Sequence, residues 1–267
     1  MAPRVSVLIV NYNSGPHLIR CVEALTQQTM GEFEAIVMDN ASTDGSIAPA
    51  RDRVAGDPRF IFVASERNLG FAAGNNAAAT RARAPWIATL NPDAFARPDW
   101  LARLLAAVER YPDAIMFGSA QRDARNPNRL DGCGDAYLAC GAPWRGGYGD
   151  SARTEPDDYE TFGPCAAAAL YRAAEFRALG GFDESFFCYG EDIDLAFRMR
   201  LAGERCIQVK DAVVDHVGGG SGGSGAFARY HGTRNMVWTF AKNMPAALLW
   251  PLIVPHLGLL ALLCVRA

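Results

Sequence analysis

The chain has 267 residues, half of them apolar and 21% charged, with a formal net charge of −3. Such a composition excludes a disordered or collagen-like chain and favours one substantial core with short appendages. All but two of the 26 basic residues are arginine, the exceptions being Lys210 and Lys242, and no basic block marks a track for nucleic acid, so no nucleic-acid partner is expected.

In chain order, short apolar runs alternate with stretches of helical period. Strands are predicted at 5–10, 34–38, 60–64 and 86–90, and helices at about 16–28, 44–54 and 71–82. The alternation predicts an α/β fold with a mostly parallel, open sheet. Ligands of such sheets sit at the carboxyl ends of the strands. Polar residues collect there: Asn11, Tyr12 and Asn13; Asp39 and Asn40; Glu66, Arg67 and Asn68; Asn91 and Asp93. No G-x-G-x-x-G follows the first strand and no P-loop occurs, so a nucleotide would have to be held by another arrangement.

A helix near 98–109 and a strand near 115–118 come next. Residues 119–163, rich in Gly, Asp, Arg and Pro and carrying Tyr137, Trp144, Tyr148 and Tyr159, read as a long loop insertion, a kind of segment that is usually functional or mobile. A strand, a short helix and the Gly180-Gly181 turn then lead into "YGEDIDLAFRMRLAG", residues 189–203. Glu191, Asp192 and Asp194 crowd the start of a helix whose apolar stripe is Ile193, Ala196, Phe197 and Leu201; Asp194 can pair with Arg198, and Gly203 is a natural stop. Acidic residues at a helix start are favoured by the helix dipole, so a purely structural reading stands beside a catalytic one.

Residues 245–265 contain no charge and approach the length of a membrane-spanning helix, but Pro251, Pro255 and His256 interrupt them. With Arg229, His231, Arg234 and Lys242 just upstream, residues 244–265 read as a hydrophobic, membrane-associated tail lying in the interface or re-entrant rather than spanning. A buried pair of C-terminal helices is the competing expectation. The seven cysteines (21, 133, 140, 165, 188, 206, 264) are scattered and form no C-x-x-C pair, which suits small core fillers in a reducing compartment rather than a disulfide framework or zinc site. The N-terminal run has neither the charged nor the apolar region of a secretory leader, and none is expected.

Six stretches, "SVLIVNYNS", "VMDNASTDGS", "RNLGFAAGNN", "LNPDA", "GGFDESFFCYGEDIDLAFRMRLAG" and "DHVGGGSGG", resemble in order and spacing the family 2 glycosyltransferases, above all their rhamnosyltransferase-like branch, over roughly residues 4 to 240. The resemblance implies a GT-A fold: a Rossmann-like, mostly parallel open sheet with a nucleotide-binding half at about 1–95 and an acceptor-binding, catalytic half at about 96–240. It also implies a divalent metal, Mn2+ or Mg2+, and inversion at the anomeric carbon.

Carried residue by residue, the resemblance implies that Asp192 is the base that takes the proton of an acceptor hydroxyl and that Glu191 holds acceptor hydroxyls. Asp39 would contact the nucleoside, with one of Ser42, Thr43 or Asp44 capping the next helix. Asn11, Asn13, Asn68, Gly70, Asn76 and Asn91 would line the donor site, although "RNLGFAAGNN" also suits a helix opening with a buried Asn cap. Asn91 stands where the family's Asp-x-Asp has its first acid, leaving Asp93 as the anionic metal ligand and His216 as a further one. The glycine-rich loop after His216 could close over the diphosphate with backbone N–H groups, and Arg229, His231 or Arg234 could reach the same oxygens or an anionic lipid.

The resulting expectation is a metal-dependent inverting transferase. It would move a sugar, with rhamnose from dTDP-rhamnose as the preferred donor, from a nucleotide-diphospho-sugar to a lipid-linked or cell-surface glycan. It would work at the cytoplasmic face of the inner (plasma) membrane, peripheral or tail-anchored. The alternative is a catalytically silent nucleotide-sugar-binding or scaffold subunit of a polysaccharide assembly complex, which Asn91 favours and the retained Glu191, Asp192, Asp93 and His216 oppose. A nucleotidyltransferase would need a triphosphate loop that "VNYNSGPH" lacks.

Overall fold

The computed structural model describes residues 2–154, 156–218 and 225–266. Its first part follows the expected alternation: β1 (Val5–Asn11), α1 (His17–Thr26), β2 (Phe33–Asp39), α2 (Ile47–Arg53), β3 (Phe60–Ala64), α3 (Gly70–Ala79), β4 (Trp86–Leu90), β5 (Ala94–Ala96) and α4 (Trp100–Arg110). The second part runs β6 (Ala114–Asp123), β7 (Asn126–Gly132), β8 (Asp135–Tyr137), β9 (Pro143–Arg145), β10 (Tyr159–Thr161), β11 (Ala168–Arg172), α5 (Ala173–Ala178), α6 (Glu191–Leu201), β12 (Arg205–His216), α7 (Gly225–Asn243) and α8 (Ala246–Arg266).

One sheet carries the chain in the order β10-β12-β6-β11-β4-β1-β2-β3, with β5 added to β12 and β7 to β6. The first four strands are parallel, β11 runs against both β4 and β6, and β12 returns parallel to β6. Every residue of β1 and β4 is buried, as central parallel strands covered on both faces require. The pleat sorts them: Val5, Val7 and Ile9 pack with α1 and α4 on one face, while Leu8 and Val10 pack with α3, α5 and α6 on the other. Strand order reverses between β1 and β4, so the switch point where such sheets take their ligands lies at the carboxyl ends of those two strands.

The supposed loop at 119–163 is a correction. The predicted strand continues to Asp123, β7 folds back on it, β8 and β9 form a separate hairpin, and β10 extends the sheet edge. β7 is largely exposed and β8, β9 and β10 have three residues each, so the apolar alternation that announces a strand is absent from them. In α6, Leu201 is half exposed while Leu195 and Met199 are buried, so the helix is covered on a broader face than its stripe suggested. The turn at Gly203, at φ +89°, ends it as expected.

The C-terminal segment is one continuous helix through Pro251 and Pro255 rather than a buried pair. Leu248, Trp250, Val254, Leu257, Leu262 and Val265 are exposed along it. Its buried residue, among those described, is His256, stacked on Phe240 of α7 at 4.0 Å and bonded through Nδ1 to the Cys140 carbonyl at 2.9 Å. The cysteines are all free thiols; Cys21, Cys133, Cys165 and Cys206 are the expected core fillers, but Cys264 is exposed on α8.

Candidate active site

The carboxyl ends of β1–β4, β6 and β12 lie at one edge of the sheet, joined by the start of the reversed strand β11. At the β1–β3 end the polar residues satisfy one another. Asn11, fully buried, donates to Ser42 and Ser46 hydroxyls at 3.0 Å each and to Asp39 at 3.4 Å, and accepts from Ser14. Its amide therefore shapes the loop that presents Asp39 and is spent before any nucleotide arrives. Asn13, at φ +50°, accepts from the Thr43 backbone at 2.8 Å. Asp44 receives Ser46 N–H at 3.0 Å and Gly15 N–H at 2.7 Å and so closes the turn ahead of α2, but the N-cap of that helix, Ser46, makes no side-chain cap bond, and the cap expected of Ser42, Thr43 or Asp44 is not made.

Asn68 accepts from Gly70 N–H and from the buried Asn40, both at 2.9 Å, and so holds the turn just ahead of α3, whose N-cap Leu69 has no side-chain cap bond. Gly70 has φ +81°, and a Cβ there would sit 2.5 Å from the Phe187 carbonyl, so glycine is required by both conformation and contact. Asn76 clamps Phe182 through both its amide groups, at 2.7 and 3.0 Å, away from the β1 end. Of the residues expected to line the donor site, Asp39 and Asn13 stand half exposed at the edge, whereas Asn11, Asn68 and Asn76 hold the loops around it.

Asp93 and His216 come together because β5 pairs antiparallel with β12, setting His216 opposite Ala94. His216 Nε2 faces Asp93 Oδ1 at 3.3 Å, yet this buried nitrogen has no hydrogen-bond partner. Its Nδ1 contacts Asp131 Oδ2 at 2.7 Å, and Arg145 binds the same carboxylate oxygen at 3.1 Å. Burial alone would lower the imidazole pKa, but Asp131 and Asp93 push it up to about 9. An imidazole nitrogen facing a buried carboxylate, with the second ring nitrogen fixed by another carboxylate, suits a divalent cation that would take the place of the proton between them. Asn91 Oδ1, also buried and unpaired, is a neutral oxygen close to this pair in sequence. Asp131, on β7, was not legible beforehand, since nothing in its neighbourhood patterns as a strand. The glycine-rich loop at 219–224 lies outside the described residues.

Asp192 reaches the same edge. Asn91 N–H bonds Ala167 O at 2.9 Å, and the adjacent Ala166 N–H donates to Asp192 Oδ2 at 3.1 Å. A second N–H, from Ile193, bonds Oδ1 at 2.9 Å. Burial raises the Asp192 pKa, and these two donors work against it. Glu191 is buried, its Oε2 has no partner, and burial with the neighbouring Asp192 drives its carboxyl well above the usual range. Asp194, by contrast, is fully spent on structure: it binds Arg198 at 2.8 Å, Lys242 at 2.9 Å and Asn243 at 2.8 Å, tying α6 to α7.

The loop before α6 bends through two positive-φ non-glycine residues, Phe187 at +65° and Tyr189 at +67°. One buried amide holds it. Asn235 Nδ2 donates to the carbonyls of Phe186, Cys188 and Tyr189 at 3.0, 2.9 and 2.6 Å. Arg234, expected at the diphosphate, instead bonds the Phe186 carbonyl at 2.9 Å and stacks over Trp238. His231 is buried against Phe187 and Phe227, and burial lowers its pKa. The stretch "RYHGTRN" therefore supports the loop carrying Glu191 and Asp192. Asn235 was part of that quoted stretch, but only the fold reveals its three carbonyls.

With this geometry in place, comparisons align with it. The model of the family described as Glycosyl transferase family 2 matches residues 6–180. The N-acetylglucosaminyl-diphospho-decaprenol L-rhamnosyltransferase of Mycobacterium tuberculosis is 30% identical over 239 residues, covering 81% of this chain and 76% of that relative. Chondroitin synthase of Escherichia coli is 34% identical over 97 residues, which are 36% of this chain and 14% of that one. Among solved structures, GalNAc-T7 with UDP, GalNAc and Mn2+ superposes with a TM-score of 0.72 at 17% identity, over 90% of this chain and 48% of that chain. A mannosyltransferase from Pyrobaculum calidifontis with GDP-Man and Mn2+ gives 0.63 at 20% identity, over 96% and 69%. These likenesses show a GT-A fold.

Proposed function

The chain belongs to glycosyl transferase family 2, and from that premise we propose a metal-dependent inverting transferase with Asp192 as its base, moving rhamnose from dTDP-rhamnose to a lipid-linked glycan. The observation that carries this reading is the shared sheet edge, where Ala166 and Ala167, consecutive residues, tie Asp192 to the segment bearing Asn91 and Asp93. The base and the diphosphate end of a donor are thereby served by one rigid element.

Asp93 and His216 would hold Mn2+ or Mg2+, which supplies Lewis-acid neutralisation of the charge that builds on the leaving diphosphate. Asp131 keeps His216 in one ring orientation through Nδ1. Asp39 faces the nucleoside from a loop ordered by Asn11. Asp192 takes the proton from an acceptor hydroxyl as that oxygen bonds to the anomeric carbon and the bond to the diphosphate breaks on the opposite face. Glu191, with an unpartnered buried oxygen, holds a neighbouring acceptor hydroxyl. Donor and acceptor class follow the mycobacterial relative, whose name pairs rhamnosyl transfer with a decaprenol-linked acceptor.

A membrane surface completes the reading. Ala246–Val265 has 20 residues of mean hydropathy 2.2 and is largely exposed. His256, about 15 Å along the helix from Ala246 at 1.5 Å per residue, is docked to the Cys140 loop and to α7. In a spanning helix that dock would sit near the middle of an apolar core about 30 Å thick and draw polar backbone into hydrocarbon. A helix lying in the plane of the cytoplasmic leaflet, its exposed Trp250 among headgroups, avoids that cost.

The test is a panel of dTDP-, UDP- and GDP-sugars with Mn2+ or Mg2+, read by thermal stabilisation and by release of nucleoside diphosphate. We expect dTDP-rhamnose to stabilise the protein and be turned over, and turnover to vanish in Asp192→Asn; no binding and no turnover with any donor would overturn the assignment. Flotation with anionic vesicles, with and without residues 245–267, tests the membrane surface.

A further inference from the structure

We propose that Asp135 is a positioning residue of the catalytic centre, forming with Asp192 a close carboxyl pair whose single proton stays on Asp135. The proposal rests on the reading of Asp192 as base. Nothing in the sequence singled out Asp135, which lies in the stretch first read as loop.

The geometry is specific. A carboxylate oxygen of Asp135, one of Asp192 and the Cys165 sulfur all lie within 4.8 Å of one another. Asp135 is buried and its backbone is pinned: its N–H bonds Gly163 O at 2.9 Å, and its carbonyl accepts from Phe162 N–H at 3.1 Å and the Thr161 hydroxyl at 2.7 Å. At Gly163 a Cβ would fall 2.4 Å from Ala196 Cβ, so α6 packs directly on the strand end that fixes Asp135. The approach of the two carboxyls is thus set by backbone on both sides.

Two carboxylates this close in a buried site do not both ionise readily. The surrounding groups decide which keeps the proton. Asp192 receives N–H groups from Ala166 and Ile193, which favour its charged form, whereas no bond to the Asp135 carboxyl is seen among the described residues. Arg145 on β9 is the cation facing the pair; Cys165, Tyr171 on β11 and Cys206 on β12 face it as neutral groups, each raised by burial, and Glu191 adjoins Asp192 on α6. Tyr171 Oη is buried and has no hydrogen-bond partner. Burial first, and then Asp192, push the Asp135 carboxyl up to about 8. The neutral Asp135 steadies the ionised Asp192 without adding charge. In the transfer step the acceptor proton passes to Asp192, the acceptor oxygen bonds to the anomeric carbon, the diphosphate leaves with its electron pair, and Asp135 keeps its proton throughout.

The full chain is compared as wild type, Asp135→Asn and Asp192→Asn, by thermal unfolding without metal from pH 5 to 9. A carboxyl raised in the folded state binds a proton that the unfolded chain has already lost, so it makes stability fall as pH rises from about 4 towards about 8. Asp135→Asn removes the raised carboxyl, and Asp192→Asn leaves it raised by burial but no longer by a second charge. The Tm of each variant should therefore gain on wild type as pH rises to 8 and level off above, with titrations common to all three, His216 included, cancelling in the difference. Parallel curves for all three proteins would overturn the pair; should one variant fail to fold, the other decides.

Release of dTDP from dTDP-rhamnose with Mn2+ gives the second readout. Asp135→Asn is expected to stay within about tenfold of wild type while losing the inflection near pH 8 in kcat/KM, and Asp192→Asn to be inactive. An unchanged inflection in Asp135→Asn would also overturn the proposal. If wild type releases no nucleotide, the transferase reading fails separately, and the unfolding curves still judge the pair.

Discussion

The two ends of the functional edge are built in opposite ways. At the β1–β3 end, Asn11, Asn40, Asn68 and Asp44 bond one another's loops, so the polar groups are satisfied before a ligand arrives. At the β4–β12 end, Glu191 Oε2 and Asn91 Oδ1 are buried without hydrogen-bond partners, His216 Nε2 faces only the Asp93 carboxylate, and Asp135 and Asp192 crowd each other. Burying polar groups unpaired costs free energy, and proteins keep such groups where a ligand or reaction completes them. On the proposed function, the first end is a preformed cradle for the donor and the second a site that substrate and metal would complete. A nucleoside needs shape; a departing diphosphate and a proton in transit need charge held ready.

The largest effect that could break this comparison is at the incomplete end. Asp192→Asn should lower turnover by about 10²–10⁴-fold, the usual range for a lost general base, while nucleotide-sugar affinity by calorimetry stays within a few-fold. Equal losses in affinity and turnover would make Asp192 part of the cradle. Next comes a matched pair of buried amides. Asn11→Ala and Asn235→Ala should each cost about 2–4 kcal/mol in denaturant unfolding, since each strands several buried polar groups. Their kinetic signatures should differ: Asn11→Ala raises the donor KM through the Asp39 loop, and Asn235→Ala lowers kcat through the loop carrying Glu191. Identical signatures would erase the distinction between the two ends.

Asp131→Asn sharpens the comparison at smaller scale. It leaves Asp93 and His216 in place but weakens the hold on Nδ1, so Mn2+ affinity should fall about 10–100-fold, as for other residues that orient a ligating histidine. Titration of Mn2+ by calorimetry reads this directly, and unchanged affinity would show that the imidazole is oriented by packing alone.

What the sequence disclosed follows the same division. Buried strands such as "VSVLIVN" and helices with clear apolar faces announce themselves, and the polar residues that follow them in sequence were found at the expected edge. Asp93, His216, Glu191 and Asp192 were visible because they stand in recognisable stretches. Asp131, Asp135 and Arg145 were not: they sit on strands that are mostly exposed or only three residues long and whose pairing depends on distant partners, a property no local pattern records. Asn11, Asn68 and Asn76 were seen but assigned to the donor, because an amide's spacing in the chain does not reveal whether backbone groups already occupy it. Arg234 illustrates the same limit, its guanidinium being taken by the Phe186 carbonyl and the Trp238 ring.

The smallest predicted effect lies behind the incomplete end, where Lys242 of α7 bridges Asp183 at 2.6 Å and Asp194 at 2.9 Å. Burial would raise the Asp183 carboxyl, but Lys242 and the Ser185 hydroxyl and N–H bring it down to about 2. A carboxyl lowered on folding adds stability above its unfolded pKa of about 3.9 and loses it as pH falls towards 2. Lys242→Met should therefore cost about 1 kcal/mol at pH 6, modest because the bridge to Asp183 is partly exposed, and the Tm gap to wild type should close as pH falls from 4 to 2. Turnover per folded molecule should hardly change, since Asp194 keeps Arg198 and Asn243. A gap that persists at pH 2 would mean that Lys242 acts through its aliphatic stem on Phe186 rather than through charge, and that the helix behind the base is held by packing.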